Sequence, residues 1–426
     1  MGSKKPAVWL ACLILPGLIL ATAGCAKPTT GAPGGADSNS ATAPAVAPAQ
    51  PPVQAPVQKP PVEPGPIKAR ILAIGDLNPH VPIVEAAQTG EKQWDFTPVF
   101  AHVRPWLEGA DLTIGDLETT FVGDTYPWSG YPSFNSPTEF VRDLKAVGVD
   151  AVTNANNHAL DYDGPGLIKT ANEIDRFGMP HTGTSRTAEE RDKILVLDVA
   201  PGLKLALLSY TYATNGIPLP EPWMVNMLDP YQIRTDIRRA RQLPGVDLVA
   251  VAYHFGDEYA REPNEEQEMY VQLALEAGAD MILGDHVHVL QRMEVRQVKD
   301  EFGRDRRRAV AFCMGNFVSA QQGLHRQESI MMAVDVKKEN GETTIEQVSF
   351  VPTWMHQYTV NGQKRFRTLV VEKAIKEYEA GADPLITAAD YAQLKEAWAD
   401  ITTHVKGSPE VAILHVDSPV SVSGGK

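Results

Sequence analysis

The stretch Ala279-Asp280-Met281-Ile282-Leu283-Gly284-Asp285-His286-Val287-His288 carries an apolar run into two imidazoles spaced two residues apart. The run is short and bounded by polar residues, so it reads as a buried strand. Both histidines then leave the sheet where the chain turns into a loop. Neutral imidazole is the commonest side-chain metal ligand. A His-x-His pair alone also fits a surface strand end, so its meaning depends on what else reaches the same sheet edge.

Four further apolar runs end in the same manner. Arg70 to Ile74 leads into Gly75-Asp76, and Asp111 to Ile114 into Gly115-Asp116-Leu117-Glu118. Val149 to Thr153 leads into Asn154-Ala155-Asn156-Asn157-His158, and Val246 to Tyr253 into His254-Phe255-Gly256-Asp257-Glu258. In sheets with helical crossovers, ligands gather beyond the carboxyl ends of the strands. The pattern therefore predicts one cleft holding Asp76, Glu118, Asn157, His158, His254, His286 and His288. Carboxylate, amide oxygen and imidazole together suit divalent Mn, Fe or Zn, as one ion or two. A carboxylate shared by two ions is a common device of dinuclear hydrolytic sites. Plainer readings stand beside these: Asp76 and the Asn run as turn formers, His254 as a packed core residue, Glu258 as solvated surface, and Gly315-Asn316 as a turn after Ala309 to Met314.

The set of motifs resembles a known family. Gly75-Asp76, Asp116-Leu117-Glu118, Asn156-Asn157-His158-Ala159-Leu160-Asp161, His254 to Glu258, Gly284 to His288 and Gly315-Asn316-Phe317-Val318 stand in the order of the CapA-type capsule-biosynthesis proteins, a branch of the calcineurin-like metallophosphoesterases. The resemblance covers roughly residues 67–355. It implies an α/β fold in four layers, αββα, with two mixed sheets face to face and helices outside. It further implies that Asp76 and His288 hold one metal, that Asn157, His254 and His286 hold a second, that Glu118 bridges them, and that His158 protonates a leaving group. Asp116, Asp161, Glu258 and Asn316 become candidates for substrate contact or for support of the ligands.

The chain departs from the ordinary phosphoesterase pattern twice. Asp-x-His is here Asp76-Leu77-Asn78, and the second carboxylate falls one residue early, at Glu118; His80 is a candidate to stand in for the absent imidazole, not the favoured one. Two functional readings follow. One is a surface-anchored, metal-dependent hydrolase acting on a phosphoester or an anionic envelope polymer in capsule or poly-γ-glutamate assembly. The alternative is a non-catalytic, polymer- or metal-binding component of a membrane synthase or export complex. The absent imidazole favours the second reading; His158 and the His-x-His pair favour the first.

Composition narrows the classes. The chain has 426 residues, 43% of them hydrophobic, enough for a sizeable core. Its net charge of −14 argues against nucleic acid as a partner, since phosphate backbones call for a basic footprint. Bound divalent ions reverse a local field, so anionic substrates remain compatible.

The first 25 residues read as a secretory signal. Lys4 and Lys5 precede the apolar stretch Ala7 to Leu20, too short for a comfortable membrane span. Ala21-Thr22-Ala23-Gly24-Cys25 then resembles a bacterial lipobox, with Thr22 where Leu is usual. Lipidation of Cys25 places the protein outside the cytoplasm on the bacterial cell membrane; the plainer reading is an ordinary cleaved signal. Residues 26–66 hold 11 of the 33 prolines and no aromatic residue, the composition of an extended, unfolded linker. Residues 67–360 form the motif-bearing domain, and 361–426 a C-terminal extension with one amphipathic helix, Ala388 to Ile401, and a disordered tail. Cys313 is the one cysteine of the folded part, so no disulfide is available there. Arg304 to Arg308 reads as a solvated hairpin tip.

Overall fold

The computed structural model describes residues 65–423. The signal, Cys25 and the linker up to residue 64 lie outside the described residues. The chain begins with β1 (Ile67–Leu77), α1 (Val81–Ala87), a small hairpin of β2 (Gln88–Gly90) and β3 (Gln93–Trp94), α2 (Arg104–Gly109), β4 (Leu112–Leu117) and α3 (Glu139–Ala146). Next come β5 (Ala151–Thr153), α4 (Asp163–Arg176), β6 (His181–Thr182), α5 (Ala188–Arg191), β7 (Leu195–Ala200), β8 (Leu203–Thr211) and α6 (Pro230–Gln242). They are followed by β9 (Leu248–His254), α7 (Glu265–Ala277), β10 (Met281–Asp285), β11 (Met293–Lys299), β12 (Asp305–Ala311) and β13 (Asn316–Val318). The chain closes with α8 (Leu324–Gln327), β14 (Glu328–Glu339), β15 (Glu342–Val360), β16 (Gln363–Val370), α9 (Val371–Glu379), α10 (Ala388–His404) and β17 (Val411–Ile413).

Two mixed sheets result. The larger runs β16-β15-β14-β1-β4-β5-β6, with β13 beside β1 and β17 beside β15. Its strands β1, β4, β5 and β6 are parallel, and β14 is antiparallel to β1. The smaller sheet runs β11-β12-β10-β9-β8-β7, with four parallel central strands and an antiparallel strand at each edge.

Side-chain alternation explains the layering. Along β1, Ala69, Ile71 and Ala73 join a core shared with Leu205, Leu207, Ala250, Ala252 and Leu283 of the other sheet. Leu72 and Ile74, between them, pack outward on Phe140 and Leu144 of α3. On the far side, Val249, Val251 and Ile282 pack against Ile233 and Ile237 of α6 and Val271 of α7. Strands covered on both faces are apolar at successive positions, which is why the sequence shows runs and not alternation. Helix starts follow local chemistry: Asp229 caps α6 before Pro230, and Asn264 with Gln267 forms a capping box that opens α7 one residue beyond Pro263.

One expectation changes. Arg304 to Arg308 is not a solvated tip: Asp305 already opens β12, and Arg308 is fully buried. Its guanidinium pairs with Asp280 and, at 2.7 Å, with Asp300 Oδ2, so two carboxylates offset its loss of water. The C-terminal extension packs on the main domain. β16 pairs along β15, β17 pairs with Val348–Phe350, and α10 packs Leu394, Ala397 and Ile401 into the inter-sheet core.

The meeting of β1 and β13 sets up the site. A Cβ on Gly75 would lie 1.9 Å from the Gly315 carbonyl oxygen. Only glycine admits that approach. It lets Asp76 N donate to Gly315 O at 3.0 Å and places Asn316 opposite Asp76.

Candidate metal centre

The carboxyl ends of β1, β4, β9 and β10 bring Asp76, Asp116, Glu118, His254, His286 and His288 into one buried cluster, joined by Asn157 and His158 from the loop after β5. His286 and His288 follow β10 with φ of 98° and 59°. Such values are costly for residues with a Cβ and mark places where the surrounding structure imposes the conformation.

Three imidazoles are held by their Nδ1 atoms. His254 Nδ1 lies 3.1 Å from Asp116 Oδ2. His288 Nδ1 lies 3.0 Å from both Asp76 Oδ2 and Asn316 Oδ1. His158 Nδ1 lies 2.8 Å from Asp161 Oδ2. Each Nε2 then points to the same atom: Glu118 Oε1 is 3.7 Å from that of His254 and 3.9 Å from those of His158 and His288. These separations exceed a hydrogen bond, and Glu118 Oε1 is buried without a hydrogen-bond partner. The other oxygen, Oε2, accepts from Asn78 Nδ2 at 3.2 Å.

The residues fit a divalent ion. Ligand atoms bound to one ion at near 2.1 Å stand roughly 3–4 Å apart, as the atoms around Glu118 Oε1 do. Donor atoms of Asp76, Glu118 and His288, and of Asp76, Asp116 and His254, lie within 4.8 Å of one another. An imidazole whose other nitrogen rests on a carboxylate is the usual form of a ligating histidine. His286 Nδ1 is likewise buried without a partner.

Electrostatics agree with a site shaped for positive charge. Burial pushes the Glu118 carboxyl up, and Asp76 beside it adds to the shift. Burial likewise raises Asp116 and Asp285. Burial disfavours a charged His288, but Glu118 and Asp76 outweigh it and push the imidazole up to about 10. Burial, then the neighbouring His254, pushes His286 far down, so its ring stays neutral.

Asn157 Oδ1 is 2.9 Å from His254 Nε2. Asp116, Asp161 and Asn316 support imidazoles of the cluster. Glu258 is exposed on the rim of the cleft and joins none of the ligand groups. His80 lines the cleft, but its Nδ1 faces Asn78 O at 3.0 Å and it joins none of the ligand groups. Three contributors were not read from the sequence. Asn78 occupies the position of the absent imidazole and holds Glu118. Asn215 accepts from Asn157 Nδ2 at 3.2 Å and so aims the Asn157 oxygen at His254. Tyr212 covers His286, ring to ring at 4.4 Å. Asn215 and Tyr212 lie in a loop without a motif. Two other groups, His102-Glu377-Asp383 and His325-Glu328-Asp400, also bring ligand atoms together. Arg367 and Arg261 already pair with their aspartates, at 2.8 and 3.0 Å.

The chain is similar to several known proteins. The model of the bacterial capsule synthesis protein PGA_cap family matches residues 70–321. The capsule biosynthesis protein CapA of Bacillus anthracis is 26% identical over 258 residues, 59% of this chain and 60% of that protein. The PGA biosynthesis protein CapA of Bacillus subtilis is 26% identical over 265 residues, 61% of this chain and 66% of that protein. The chain thus spans somewhat under two thirds of the length of these relatives. Among solved structures, the calcineurin-like phosphoesterase YfkN from Bacillus subtilis aligns with 78% of this chain and 100% of its own, at 13% identity and a TM-score of 0.38. With a family model that spans all six motifs and more than half of its length, this chain belongs to the PGA_cap family of bacterial capsule synthesis proteins.

Proposed function

We propose that this protein is a metal-dependent, phosphoesterase-type hydrolase of envelope-polymer assembly, held at the outer face of a bacterial membrane by a lipid on Cys25. The observation that carries the hydrolytic reading is the convergence of three imidazole Nε2 atoms, each oriented by a carboxylate, on the unpartnered Glu118 Oε1. Asp76, Glu118, Asn157, His254, His286 and His288 would hold one or two ions of Mn, Fe or Zn, with Asp116 and Asn316 fixing imidazole orientation. A divalent ion, when bound, supplies Lewis-acid stabilisation of the negative charge that develops at a phosphoryl centre.

His158 belongs to neither ligand group and lines the open cleft. Asp161 accepts from its Nδ1, which leaves Nε2 to deliver a proton to a leaving oxygen. The names of the relatives, capsule and PGA biosynthesis proteins, support an anionic envelope polymer as substrate; the ligand set supports a phosphoester as the alternative. Elemental analysis of the purified protein, together with turnover of a generic phosphodiester, tests the reading. Metal below one equivalent after reconstitution with Mn, Fe and Zn would sink it.

One observation favours a second reading, a metal- or polymer-binding component of a synthase or export complex without turnover. Asn78 stands where the ordinary pattern has an imidazole and spends its Nδ2 on Glu118. That reading expects a metal-loaded protein, no hydrolysis, and polymer production that survives His158→Ala.

A further inference from the structure

We propose that Arg326 and Tyr259 form an oxyanion subsite on the rim of the metal cleft. It receives a carboxylate or phosphate of the substrate beside the group to be cleaved. The location rests on the reading of this cleft as the substrate site.

The cleft encloses about 650 Å³. Its walls are mostly neutral: amides such as Asn78 and Asn157, and rings such as Phe134 and Tyr259. Arg326 is its one Arg or Lys among the described residues. The chain carries 53 acidic against 39 basic residues, and most of its arginines are taken up by carboxylates. Arg326 is exposed, and among the described residues no ion pair joins it to a carboxylate, not even to Glu258 on the same rim. Its one ring contact is with Tyr259, over which the guanidinium carbon lies 5.6 Å from the centroid.

The backbone under this guanidinium is tied to the metal ligands. Asn316 Nδ2 donates to Arg326 O at 2.9 Å and to His288 O at 3.2 Å, while Asn316 Oδ1 faces His288 Nδ1. One buried amide therefore positions both the arginine and a metal ligand. Tyr259 is fixed from the other side: its N–H donates to Val287 O at 2.8 Å, and its ring centroid lies 6.2 Å from that of His288. A guanidinium above an aromatic ring and paired with no carboxylate keeps its donors available for bidentate capture of a carboxylate or phosphate. Glu258 gives the rim a second charge of opposite sign. Glu258 sits against Tyr259, so the Arg326 side of the ring is the place left for an anion.

The test uses the full, Mn-loaded protein and titration calorimetry with two probes, inorganic phosphate and a γ-linked oligoglutamate. Arg326→Gln should weaken at least one probe about tenfold or more with metal content unchanged, and Arg326→Lys should retain part of the affinity. Loss confined to phosphate assigns the subsite to a phosphoryl group; loss confined to the oligomer assigns it to a carboxylate. Unchanged affinity for both probes, or wild type that binds neither, overturns the proposal. So does loss of metal along with the anion, since Arg326 would then act on the centre itself. If wild type holds no metal yet shows Arg326-dependent binding, the hydrolase reading fails and the subsite stands.

Discussion

Asp161 Oδ2 lies 2.8 Å from His158 Nδ1 and also accepts from Phe134 N at 2.7 Å, so the carboxylate that orients His158 is itself fixed by backbone. His158→Ala should leave metal content nearly intact, because the family resemblance gives His158 the role of proton donor beside the ligand Asn157 and not that of a ligand. Turnover of a phosphodiester should fall by about 10²–10⁴-fold, the usual worth of a positioned proton donor. Asp161→Asn should give a smaller loss through misorientation. A His158→Ala protein without metal would contradict the assigned role.

Glu118 is the carboxylate on which three imidazoles converge. Glu118→Gln replaces the converging carboxylate by an amide and removes a formal charge from the centre of three imidazoles. Metal content after dialysis should drop sharply, and the stabilisation that metal confers on melting should vanish. Ligand present at about 100 times its Kd is worth about 2.7 kcal/mol to the folded state. A Glu118→Gln protein that keeps full metal and full thermal response would rule out the bridging role. Replacing His286 and His288 together by Ala should likewise abolish tight binding.

The close contact of β1 with β13 predicts a stability effect at a position that touches no ligand. Gly75→Ala places a methyl group 1.9 Å from Gly315 O, backbone against backbone. The cost should exceed about 3 kcal/mol, and the register that sets Asn316 beside Asp76 should be lost. Denaturant unfolding measures it; a variant within about 1 kcal/mol of wild type would show that the strands separate easily.

Acid should destabilise the fold through His356. Burial, and then the charge of Arg367, push this imidazole down from 6.5 to about 4. Its Nδ1 accepts from Arg367 Nε at 3.0 Å, which requires the neutral ring. Between pH 6.5 and about 4 the unfolded chain binds a proton that the folded chain does not. The stability present above that window is therefore lost as pH falls through it, by up to about 3 kcal/mol. His356→Gln keeps an acceptor that does not titrate, so its melting temperature should fall less steeply with acid. Parallel curves for the two proteins would refute the assignment.

The proposed anchor can be tested in cells. Cys25→Ser should release the protein into the medium or leave it uncleaved, since stable attachment needs lipid chains that serine does not receive. A Cys25→Ser protein processed and membrane-bound like wild type would end the lipoprotein reading.

The sequence alone revealed the strands that carry the site, because strands buried on both faces appear as apolar runs and each run here ends in a polar motif. Asp76, Glu118, Asn157, His158, His254, His286 and His288 were nameable for that reason, and the structure gathers all seven. The helix starts at Pro230 and Asn264 follow local backbone chemistry as well. Tertiary structure decided the rest. Asn78, Asn215 and Tyr212 act through partners 40, 58 and 74 residues away in the chain, and no local pattern encodes such pairings. Arg308 looked solvated because charge in a sequence does not reveal its counter-charge; Asp280, 28 residues away, supplies it. β16 and α9 went unread because their stability comes from packing on β15, a long-range contact. Residue types and their order specify which chemistry is available, whereas distances between side chains far apart in sequence exist only once the two sheets close on their common core.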